Sequence, residues 1–259
     1  MQAKPDFQPT RVFLLIRNAL VLNRSSIAVT TAAVGGVLML VSLLDVLGQC
    51  RPGLHRNLFL LVLFSGGTLV TSRSFKELHD PIKGLPWLLL PASLLEKTLA
   101  RILLTTVVVI AGSMVFFFFF SLISEGVNTF LFNRRHALFQ PFDPLVLKGA
   151  MTYTAAQAPF LLGAVYFRKH ALSKTTLGML GFTVLFSLGV YVAARLIFGG
   201  HLSGLEFDDL FTGAGYDLEW SALSGLGRAA IITGKVIFWL VLPLVSWTAC
   251  YFRLKETER

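Results

Sequence analysis

The residues able to do chemistry are few in this chain of 259 residues, and their spacing does not favour it. Its five histidines, His55, His79, His136, His170 and His201, are scattered. No two stand four apart as on a zinc-binding helix, and there is no His-Glu-x-x-His run. There is no Gly-x-x-x-x-Gly-Lys-Ser/Thr loop to cradle a nucleotide. No Gly-x-Ser-x-Gly elbow presents a nucleophile. The two cysteines, Cys50 and Cys250, fall at opposite ends of different apolar runs, so a disulfide, which needs Cα atoms within about 7 Å, is excluded. These absences argue against an enzyme and against a metal site.

What the spacing does favour is helix capping. Ser74-Phe75-Lys76-Glu77 and Ser93-Leu94-Leu95-Glu96 both have the capping-box form, in which Ser accepts from an orphan N–H and Glu reaches back. Pro81 ends the first after about two turns, so a short helix is expected from Phe75 to Asp80, with Phe75 and Leu78 on one face. The second box follows Pro91 and starts a long apolar helix, with Lys97 and Arg101 one turn apart at headgroup level. Between them Leu85–Leu90, with Trp87, is too short to span a membrane and is expected to lie along its surface. The plainer reading of the whole stretch is a solvated loop.

The composition dictates the setting of these boxes. Hydrophobic residues make up 54% of the chain and charged ones 14%, against about 25% charged in soluble domains. An all-α integral membrane protein follows, with no room for a separate soluble domain. The N-terminus is polar, and the first apolar run carries Arg17 and Arg24 with no small-residue cleavage site after it, so no signal peptide is expected to be removed. Residues 7–24 place Arg11, Arg17, Asn18 and Arg24 within an arc of roughly 140°, which suits a helix lying in the membrane interface. Six spans are expected, at about 26–48, 57–71, 93–124, 147–167, 175–199 and 229–252. The net charge of +9 then reflects the positive-inside rule and not nucleic-acid binding. Most Lys and Arg fall inside if both termini are cytoplasmic. The outer connections, 125–146 and 200–228, mix aromatics with acids and turn formers and are expected to cap the outer face.

The polar-and-basic stretch between spans two and three then stands out. Phe75 and Leu78, followed by Leu90-Pro91-Ala92-Ser93 and Glu96-Lys97, resemble the permease subunit of type-2 ABC transporters. So do Phe160-Leu161-Leu162-Gly163, Phe167-Arg168-Lys169 and Lys174-Thr175. The resemblance implies an elbow helix, six spans and a coupling helix that docks on a separate cytosolic ATP-binding subunit. It further implies a second permease chain, identical or related, and a bacterial inner membrane. This chain would hold no cofactor; ATP and Mg would sit on the partner. Phe75, Lys76, Glu77, Leu78 and His79 would carry coupling, and Ser93, Glu96 and Lys97 would start the third span. The alternative is a stand-alone carrier or membrane scaffold, and ionisable residues at mid-depth, which would favour the carrier, are not evident.

Several residues within the spans remain. Phe116–Phe120 point all round a helix; Phe116 and Phe119, with Tyr153 and Gln157, are candidates to line a path for an apolar substrate, although lipid contact and packing explain the phenylalanines as well. Asp45 is placed to pair with Arg195 or Lys235. Gly66-Gly67, Gly178, Gly181 and Gly189 suggest close helix contacts.

Overall fold

The computed structural model describes residues 7–48, 53–76, 92–133, 137–198, 233 and 236–257. All regular structure among them is helical. Helix α1 is Pro9–Leu22, with Pro9 in its first turn, where the missing N–H costs nothing. Asn23 alone separates it from α2, Arg24–Leu47; its backbone and side-chain amides both donate to Ala19 O. Helix α3 is Leu54–Arg73, entered through Gly53 in the left-handed conformation that glycine tolerates best. Helix α4, Leu94–Leu103, runs through a π-turn, Leu104–Val108, into α5, Val109–Phe132. Asn133 closes α5 in the left-handed conformation. Helix α6 is Pro144–Tyr166, started by Asp143, whose carboxylate accepts from Leu145 N. Helix α7 is Ala171–Phe198, and a second π-turn, Ile237–Val241, leads into α8, Leu242–Thr257.

Five helical stretches are long and apolar enough to cross a membrane: Arg24–Leu47, Leu54–Arg73, Leu94–Phe132, Ala171–Gly189 and Ile237–Glu256. The expected fourth span, at 147–167, is helical as α6 but is not among them. The reason is position. Helix α6 is the hub, packed by α3, α7 and α8, and it buries ten of its residues. A helix shielded by neighbours carries polar and small residues that lipid would penalise. The expected third span also changes. It does not stop at Ser124 but continues through Glu125 to Phe132, so the following connection is shorter than 125–146. The 200–228 connection lies outside the described residues.

Two apolar clusters stack along the bundle. The distal one, where α5 ends and α3 begins, joins Leu38, Phe59, Leu63, Phe117, Phe120, Phe139, Val146 and Tyr153. The proximal one, where α3 ends and α4 begins, joins Phe75, Leu161, Ala164, Val165, Cys250 and Leu254. Of the phenylalanine run, Phe117 and Phe120 enter the distal cluster while Phe118 and Phe119 face outward. Gly67 meets the expectation of close contact: a Cβ there would lie 2.5 Å from the Tyr153 ring. At Gly66, Gly178, Gly181 and Gly189 a Cβ would reach no side chain of another helix among the described residues.

Candidate functional site

At the proximal end, Glu96 ties two helix starts together. Its Oε2 accepts from Ser93 N at 2.7 Å, and Glu96 N donates to Ser93 Oγ at 3.2 Å, which is the capping box the spacing predicts. Its Oε1 accepts from Gln8 N at 2.8 Å, the residue that begins α1. One carboxylate thus faces the positive ends of both α1 and α4, and α1 packs along α4. Lys97 is buried and Arg101 is half-buried.

The expected coupling residues separate. Phe75 is 2% exposed, inserted into the proximal cluster against α6 and α8. Lys76 is exposed. Ser74 has helical dihedrals, and its hydroxyl donates to Thr71 O at 2.7 Å. It therefore closes α3 and does not have the extended backbone of an N-cap. Glu77, Leu78 and His79 lie outside the described residues.

Midway along the bundle is a buried polar layer that contains two of the expected path residues. The hydroxyl of Tyr153 donates to Thr105 O at 3.0 Å and lies 3.4 Å from Thr71 Oγ1. Thr71 Oγ1 donates to Gly67 O at 2.8 Å, and the Gln157 side-chain amide lies 3.5 Å from the same hydroxyl. Tyr153, Gln157, Thr71 and Thr105 are all fully buried. Within the described residues they sit at contacts between helices; Phe116 stacks on Phe120, and Phe119 is 58% exposed.

The distal end holds a second polar group that sequence reasoning missed. His55 Nε2 and Glu125 Oε1 are 2.7 Å apart and buried. Asn128 Nδ2 donates to Ser42 Oγ at 3.0 Å and lies 3.4 Å from Glu125 Oε1. Ser124 Oγ donates to Ser42 Oγ at 2.7 Å. Three helices, α2, α3 and α5, are fastened there. The signal was present in the spacing: Ser121, Ser124, Glu125 and Asn128 recur at three and four residues on one helical face. It was hidden by ending the span at Ser124. Arg56 and Asp143, 3.7 Å apart, add a half-exposed link between the starts of α3 and α6. The proposed Asp45 pairing with Arg195 or Lys235 involves side chains outside the described set. Among the described residues no three His, Cys, Asp or Glu are grouped to hold a metal.

The arrangement has no activated nucleophile among the described residues; what it can do is hold helices together and pass displacements between them. No protein-family model, curated protein or solved structure matches the chain.

Proposed function

We propose that this chain is the membrane subunit of an ATP-driven exporter, working with a separate cytosolic ATPase and a second permease chain in a bacterial inner membrane. In this reading α6 is a sixth span, screened from lipid by its neighbours, both termini are cytoplasmic, and α1 is the interfacial elbow. The observation that carries the reading is how the proximal end is built. The segment 77–91 is tied to the bundle on both sides, by Phe75 sunk into the proximal cluster and by Ser93 and Glu96 at the start of α4. A push on that segment is therefore delivered to α3, α4, α6 and α8 together. Coupling residues are placed on Glu77, Leu78 and His79; Phe75 serves as the anchor.

The test is substitution within 77–79 in the chain purified with its ATPase. Leu78→Ala with His79→Ala is expected to leave expression and thermal stability unchanged while lowering ATPase stimulation by the membrane subunit at least about tenfold, the effect of some 1.4 kcal/mol at a contact. Undiminished stimulation would remove the segment from coupling.

The alternative, a carrier or scaffold without an ATPase, gains one observation: His55 and Glu125 are ionisable groups buried inside the helical bundle. They sit at the distal end and not at mid-depth.

A further inference from the structure

We propose that the turn between α6 and α7 binds an anionic phospholipid, with its phosphate on Arg168, Lys169 and Lys174 and an acyl chain along α7. The turn is short, residues 167–170. His170 closes it in the left-handed conformation, at φ 56°, and its carbonyl accepts from Lys174 N at 3.0 Å. Behind it the two helices touch, for a Cβ at Gly163 would overlap Thr175. Lys174 folds back over the turn, with its ammonium 5.4 Å from the centre of the Phe167 ring. Arg168, Lys169 and Lys174 are all exposed there, and the planar fork of Arg168 suits a phosphate.

No acid of this chain answers these charges among the described residues. The sequence has no Asp or Glu between Asp143 and Glu206. The carboxylates described at the proximal end are engaged elsewhere, Glu96 with Ser93 and Gln8, and Glu256 with Arg253. The positive-inside rule is met by Lys and Arg anywhere in a connection; what marks this connection is its shortness. Four residues reach about 14 Å at most. The cations therefore stay at the level where α7, apolar enough to cross a membrane from Ala171 on, meets the headgroups. The surface that follows is open and apolar. Leu177 and Leu185 are 72% and 70% exposed. Gly178 and Gly181 share that face with Lys174, and a Cβ at either would meet nothing within 4 Å among the described residues. Cations above a shallow apolar strip match a lipid in both head and tail, whereas an acidic soluble partner would engage the cations alone.

The experiment is native mass spectrometry of the full chain in detergent, titrated with phosphatidylglycerol and, separately, with phosphatidylcholine. Phosphatidylglycerol is expected to bind more tightly. Arg168→Gln with Lys174→Gln should weaken its binding about 25-fold, at roughly fivefold for each charge, and leave phosphatidylcholine unaffected. Arg17→Gln with Arg24→Gln removes as much charge from exposed positions on other helices and should leave binding within about twofold. Equal affinity for the two lipids, or equal losses in the two double variants, overturns the site, because the charge would then act only as a general field. Displacement of phosphatidylglycerol by millimolar inorganic phosphate overturns it as well, because the cations would then hold a free anion. If Arg168→Gln with Lys174→Gln keeps the lipid and instead releases the ATPase during co-purification, the turn is a protein contact and the proposal falls. The site rests on the membrane setting and not on the exporter reading, so failure to bind the lipid leaves that reading untouched.

Discussion

Gly67 and Tyr153 show how a single atom sets the spacing of two helices. A Cβ on Gly67 would lie 2.5 Å from the Tyr153 ring, which is buried and bonded to Thr105 O. Gly67→Ala is therefore expected to destabilise the bundle by about 1–3 kcal/mol, the usual range for overpacking. Gly66→Ala, where the nearest atom is on its own helix, should leave stability within about 0.5 kcal/mol. Thermal unfolding of the two variants side by side checks this. Phe75 makes a second contrast. Its ring is sunk among Leu161, Val165 and Leu254, so Phe75→Ala should cost about 3–5 kcal/mol, whatever it does to coupling. Glu125→Leu would take the carboxylate from buried His55, while Asn128 Nδ2 keeps Ser42 Oγ. A buried polar group that loses an acceptor costs about 1–3 kcal/mol, and Glu125→Gln, which keeps one, should cost less. Equal unfolding temperatures for the two Glu125 variants would show that the pair carries no stability.

Among the elements, those specified by adjacent residues were legible in the sequence. Ser93 and Glu96 form their capping box because the motif needs only four consecutive residues. Its further grip on Gln8, 88 residues away, had no local sign. Glu96→Ala is accordingly expected to cost about 1 kcal/mol as a lost cap and also to loosen α1. Faster limited proteolysis within residues 9–23, with the rest of the chain still protected, is the readout; unchanged cleavage would mean that packing alone holds α1 to α4. Ser74 carries the same motif; its hydroxyl donates back to Thr71 O and its backbone is helical, while Glu77, the other half of the motif, lies outside the described residues. Hydropathy placed most helices to within a few residues. It cut the third span short, where tertiary burial replaces lipid. Glu125 looked like the end of a span because a charge in lipid is costly, yet His55 and Asn128 meet it inside the bundle. The full burial of Tyr153 and Gln157 had no local sign, because it comes from the packing of α6 against α3, α7 and α8. The π-turns had no pattern at all: Thr105 and Thr106 bond the carbonyls four residues back, as Thr98 and Ser113 do in regular helix.

For the molecule as a whole, five helical stretches are suited to crossing a membrane, and a less apolar helix, α6, packs against α3, α7 and α8. Such a body is suited to moving as packed parts. Helix α5 is fastened distally to α2 and α3, and α4 is joined to α1 through Glu96; in sequence, the segment 77–91 lies between α3 and α4. The central claim is that a separate ATPase acts on that segment. The most direct measurement is gentle affinity purification of the full chain from its native membrane, with mass spectrometry and an ATPase assay on what comes with it. The account predicts a partner carrying a Gly-x-x-x-x-Gly-Lys-Ser/Thr loop and vanadate-sensitive hydrolysis in the purified complex. A chain recovered alone from several mild detergents, with no nucleotide hydrolysis, would contradict it.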